Sequence, residues 1–282
     1  MRDVIKQDLT ERMAKALAFV QANGSSMMRA FAARAAGHVS SDEALTAMVE
    51  FQNPDGGWRG MDTDMKGPIS AISCTWPAIQ WLLWIRPNDT LPVDRTVEFL
   101  RNVQQESGCW DEPQDILNYD PPPWMVPGDH AVQLWLTAAV CCKLLESGRQ
   151  IDVRFDDALA FLRAGWDGKR YPVYAHTHWM ALLLFASLEN PAPADRQIAK
   201  GCAQFLMDAL LEGSIDPFDF IEIAYAAFHA RDLTRDLFDV AFERALNHQA
   251  DDGGWETNYG ERHRPWCTTN AMYLLRAVRS AL

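Results

Sequence analysis

The sequence has no CxxC pair among its six cysteines, no surplus of positive charge, and no apolar run long enough to cross a membrane. Each absence excludes something. Without paired cysteines there is no zinc or disulfide frame, so buried thiols of a reducing compartment are expected. A net charge of −12 and a pI near 5.0 argue against nucleic acid, which needs a basic footprint. They also give no electrostatic reason to sit on anionic lipid, though peripheral membrane contact stays open. The longest apolar stretches, such as "WMALLLFASL", reach about half a membrane span. The first residues, "MRDVIKQDLTERMAKAL", carry charge throughout and contain no signal-type apolar stretch. A soluble cytoplasmic protein is the expectation.

What the chain does contain is a repeated phrase. "QNPDGGW" spans Gln52 to Trp58 and "QADDGGW" spans Gln249 to Trp255. A weaker copy, "QQESGCW", spans Gln104 to Trp110, and "LRAGWDG" around Trp166 is a fourth trace. A copy lacking its Trp fits near "LLEGSIDP". The period is roughly 40–55 residues, in the range of repeat architectures. An amphipathic stretch precedes each copy, as in "DRTVEFLRNV", and a more apolar one follows, as in "DHAVQLWLTAAVCCKLL". Apolar residues recur at three and four in both, so each copy joins an outer helix to an inner one. With "ERMAKALAFVQANGS" and "MMRAFAARAAG" at the start, six pairs result. Such pairs must stack to bury their faces. The last copy resembles an early one, which suggests a closed ring. The expectation is an all-α, single-domain (α/α)6 barrel over residues 1–282. The glycines allow a tight reversal, and the Gln and Trp of each phrase read as scaffold. "NYDPPPWMVPGD" reads as a mouth loop or lid.

A Gln followed six residues later by Trp, with Gly-Gly between, resembles the repeat of the squalene–hopene and oxidosqualene cyclases. More broadly, it is similar to the terpenoid-cyclase/prenyltransferase superfamily. "NPDGGWRGMDTDM" and "WMVPGDHAVQLWL" extend the likeness. Full triterpene cyclases have two barrels, and this chain has room for one. The resemblance implies class II chemistry, in which a carboxylic acid protonates an alkene or epoxide in a dry cavity. It would make this chain a terpene or meroterpenoid cyclase acting on a linear isoprenoid or prenylated arene. The alternative is a barrel that binds or carries an apolar isoprenoid-like ligand without catalysis.

The family's donor lies in an Asp-x-Asp-Asp-Thr run, which this chain lacks. "DTDM" keeps two acids and loses the third, and Ser73 stands where oxidosqualene cyclases place the acid. The candidate donors are therefore sought at other inner-helix starts and loops. Asp129 comes first, then Asp64 and Asp219, with His130 and His176 as supporting groups. The alternative for Asp129 and Asp219 is an ordinary helix N-cap, and for Asp64 a loop-capping acid. The expected substrate-binding residues are Trp76, Trp124, Trp135, Tyr174, His178, Trp179, Phe218 and Trp266, because ring faces stabilise a migrating cation. No metal is expected: His176 and His178 are badly spaced for ligands, and the zinc ligands of protein prenyltransferases are not assembled near Cys267. Mg²⁺ enters only with a diphosphate substrate, for which loop residues such as Arg59 and Lys66 could supply charge. No cofactor and no nucleic-acid partner are expected.

Overall fold

The computed structural model describes residues 2–61, 64, 65 and 67–282. Its described backbone is helical, with no β-strand beyond isolated bridges. In chain order the helices are α1 (Arg2–Asn23), α2 (Ser26–Ala36), α3 (Ser41–Thr46), α4 (Ile72–Ile85), α5 (Leu91–Val103), α6 (His130–Glu146), α7 (Phe155–Ala164), α8 (Ala175–Ala186), α9 (Pro193–Glu212), α10 (Pro217–His229), α11 (Arg231–Asn247) and α12 (Arg264–Ala281). None of them is long and apolar enough to cross a membrane.

Local chemistry sets many of the boundaries. The Ser25 hydroxyl accepts the Met28 N–H at the start of α2, and Gly37 closes that helix at φ 82°. Ser40 and Glu43 form a reciprocal capping box on α3. Asp129 and Asp216 cap α6 and α10. The start of α4 has no cap of its own. The buried Glu112 supplies one, accepting the N–H groups of Ile72 (2.8 Å) and Ser73 (2.9 Å). A carboxylate there satisfies two orphan donors and complements the helix dipole.

The chain divides into two units, residues 1–48 with 207–282, and residues 49–206. In the second unit α4 packs on α6 and α6 on α8, while α5 lies against α4 and α7 against α6. α4, α6 and α8 are buried along most of their length, whereas α5 and α7 bury only one face. In the first unit α12 packs on α1, α2 and α10, and α10 lies along α11. The expected alternation of one-faced and all-round apolar helices is present.

The two full phrases and the weaker copy at Gln104–Trp110 are built alike. The Gln amide N–H bonds the carbonyl of its own turn: Gln52 to Gly56, Gln104 to Gly108, Gln249 to Gly253. It also reaches a carbonyl of the next one-faced helix or its cap: Pro92, Arg154 and Arg12 respectively. The last phrase thus makes to α1 the bond that the first makes to α5. Gly56, Gly108 and Gly253 all sit at positive φ (93°, 87° and 90°). A Cβ on each would also strike the backbone of Arg95, Asp157 or Lys15, so glycine is required twice over. Trp58, Trp110 and Trp255 are fully buried. Their backbone N–H groups donate to Thr75, Thr137 and Thr268 of the following helix. These bonds make the Gln and Trp of the copies at Trp58, Trp110 and Trp255 parts of the scaffold.

Candidate functional site

Each unit carries one feature that packing alone does not explain. In the second unit it is a group of rings on the first half of three neighbouring helices. Trp76 of α4 lies edge-on to Trp135 of α6 and to Trp179 of α8, with ring centroids 6.4 Å apart in both pairs. His176 sits 6.0 Å from both Trp135 and Trp179. Trp135 and Trp179 are buried, whereas Trp76 and His176 remain partly exposed. The indole N–H groups of Trp76, Trp135 and Trp179 are shut off from solvent and have no acceptor. Clustered indole faces suit an apolar or cationic occupant.

In the first unit the feature is acidic. Asp219 and Glu222, three residues apart on α10, are each only 3% exposed. Glu222 accepts a 2.9 Å hydrogen bond from the Asn270 amide on α12. Cys267 lies in the same neighbourhood. Burial pushes its thiol well above the ordinary range, and the negative charges of Asp216, Glu222 and Asp219 push in the same direction. Phe218 and Trp266, on the first turns of α10 and α12, are half-buried, and Phe218 meets the Tyr259 ring at 6.3 Å.

The chain matches no family model and no curated protein. Among solved structures, a protein from Actinoplanes is similar in fold. It is 15% identical, with a TM-score of 0.62 over 97% of this chain and 100% of that one. At that identity the likeness speaks of fold alone.

The structure redistributes the expected residues. Asp129 is exposed, and its carboxylate accepts the Ala131 N–H at 2.7 Å. It is an N-cap in contact with water, which is a poor setting for an acid that must protonate an alkene. His130 is exposed as well, with its ring 5.6 Å from Phe161. Asp64 is half-buried in the loop before α4. Its neighbours Asp62 and Thr63, and with them the rest of the "DTD" clamp, lie outside the described residues, as does Lys66. Asp219 is not the N-cap of α10. Asp216 holds that place, accepting from Phe218 N, Thr257 Oγ1 and Asn258 N.

His178 is corrected most sharply. It was expected to bind substrate, but it is fully buried and engaged on both nitrogens. Nε2 accepts the Tyr171 N–H at 3.2 Å, Nδ1 lies 3.1 Å from the Tyr174 carbonyl, and the ring stacks on Phe205 at 3.8 Å. Burial holds its pKa down at about 4, so it is a neutral structural acceptor. Tyr174 is half-buried just before α8. Its phenol is raised first by burial and then by the charge of Asp129. Trp124 is half-buried in a short 3₁₀ turn, Pro123–Met125. The Pro-rich segment around it is pinned by the fully buried Ile116 and Met125. Gly128 N and Gln133 Nε2 both donate to Asp111 at its end.

Sequence reasoning passed over Glu112, Glu222 and Asn270. Glu222 was visible as the lone acid three residues after Asp219 in an otherwise apolar helix. Glu112 and Asn270 carried no such signal, because their partners lie about 40 and 48 positions away in the chain. Among the described residues no group of three or more His, Cys, Asp or Glu is placed to hold a metal ion.

Proposed function

We propose that this chain is a single-domain (α/α)6 barrel of the terpenoid-cyclase type, and that it cyclises a linear isoprenoid by protonation. The observation that carries the reading is the Trp76, Trp135, Trp179 and His176 cluster. The helix alternation supports the ring, as does the bond from the last phrase back to α1.

In this reading a shielded acid is the donor, and Asp219 is the candidate that the first unit offers. Of the three acids singled out from the sequence it alone is buried, and a donor to an alkene must be shielded from water. Its proton adds to one carbon of a terminal double bond, leaving a tertiary cation on the other. The next double bond attacks that cation and closes a ring. Loss of a proton, or capture of water, ends the sequence.

The test is incubation with farnesyl diphosphate, geranylgeranyl diphosphate and prenylated arenes, with product analysis for wild type, Asp219→Asn and Asp129→Asn. Asp219→Asn should lose cyclised product while keeping its helical circular dichroism, and Asp129→Asn should keep product. Wild-type turnover by Asp219→Asn would remove the donor assignment. Binding without any conversion by wild type would leave a carrier of apolar ligands instead.

A further inference from the structure

The three indoles of the ring cluster raise a question that a hydrocarbon ligand does not answer. An indole N–H is a donor only, and buried donors in native proteins are nearly always paired. Here three unpaired donors come from three different helices and share one cluster. Trp135 is 6% exposed and Trp179 2%. The buried Ser73 hydroxyl, also without a partner, lies one turn before Trp76 on the same face of α4. Edge-to-face ring contacts offer such N–H groups only a weak π acceptor. A pure polyene would leave all of them unpaired. A diphosphate would bring several negative charges against indole donors that are neutral, and burying such an anion against neutral donors is unfavourable.

We infer that the occupant of this cluster is an uncharged apolar molecule bearing a carbonyl-type oxygen, held by the indole N–H groups of Trp76, Trp135 and Trp179. This rests on the isoprenoid-binding reading and narrows its ligand class. The partly exposed edge at Trp76 and His176 is the side from which the molecule enters. A carbonyl oxygen has two lone pairs, so it can satisfy two of the three donors at once.

Three probes that share a farnesyl chain separate the possibilities: farnesylacetone (a ketone), β-farnesene (a hydrocarbon) and farnesyl diphosphate. Affinities are measured by calorimetry on the full chain, wild type against Trp135→Phe and Trp179→Phe, which keep a ring and delete the N–H. The ketone should bind about tenfold tighter than either other probe, and each variant should reduce its advantage over the hydrocarbon by about fivefold. In ¹⁵N-labelled wild type, the ketone but not the hydrocarbon should move indole N–H resonances downfield, a readout that does not depend on the variants folding. Equal binding of ketone and hydrocarbon, or tightest binding of the diphosphate, overturns the inference and leaves the isoprenoid reading standing. Failure of all three probes to bind overturns both.

Discussion

The repeat at Trp110 and the repeat at Tyr171 perform the same task with different residues. Trp110 donates its backbone N–H to Thr137 of the following helix and its indole N–H to the Leu100 carbonyl of the preceding one. Tyr171 donates its backbone N–H to His178 and its hydroxyl to the Leu162 carbonyl. Both aromatic side chains are buried, Trp110 at 0% exposed and Tyr171 at 1%. The scaffold therefore demands a buried ring with a polar tip and an acceptor facing the loop, not a tryptophan and a threonine as such. This explains two misplacements at once. Trp166 has the letter of the repeat but is half-buried beside Tyr171, at 5.1 Å, and is wedged against Gly201. His178 has the chemistry of a site residue but occupies the threonine position.

Three sets of substitutions distinguish the two repeats. The largest effect is expected at the ring itself. Trp110→Ala should cost about 3–5 kcal/mol in chemical denaturation, as large buried aromatics do, and Trp166→Ala less than half of that. Equal losses would mean that Trp166, not Tyr171, is the structural counterpart.

The second effect concerns the acceptor. An unfolded histidine titrates near 6.5, whereas His178 in the folded chain titrates at about 4. The unfolded chain therefore binds the extra proton between those values. The stabilisation from neutral His178 is complete above pH 6.5 and is lost as the pH falls toward 4, a difference of roughly 3 kcal/mol. The Trp110 repeat, with threonine, has no such dependence. Unfolding free energies measured from pH 7 to pH 4 should decline along this curve, and His178→Thr should flatten it. A slope unchanged by the substitution would assign the proton to another group.

The smallest effect is at the turn. Gly108→Ala meets both the positive φ of 87° and the Asp157 backbone, and should cost more than about 1 kcal/mol. Gly168 is also at positive φ, at 95°, but has open space around it, so Gly168→Ala should cost only the backbone strain. A larger loss at Gly168 than at Gly108 would show that close approach between repeats is not what selects the glycine.

Much of the helix pattern was legible because it is periodic. "DRTVEFLRNV" and "DHAVQLWLTAAVCCKLL" show by spacing alone which helix buries one face and which is apolar all round, and α5 and α6 behave accordingly. Trp76, Trp135 and Trp179 are legible for the same reason, as large rings on the helices that are apolar all round. The roles of the titratable residues were far less readable. Asp129 and Asp219 occupy similar places in the linear sequence, near a helix start, yet one faces water and the other is buried. Asp129 is the N-cap itself, whereas Asp219 lies three residues past its cap, Asp216, on the buried side of α10.

The sequence alone determined the all-α class, the repeated hairpin and the residues of the Gln–Gly–Trp turn, because helical periodicity and positive-φ glycines are local and repeat their signal. Only the tertiary structure decided that Tyr171 stands in for a tryptophan, that His178 is a buried acceptor, and that Asp219 and Glu222 are shielded while Asp129 is not. Burial and hydrogen-bond partnership depend on segments that pack from elsewhere in the chain, and no local pattern encodes them.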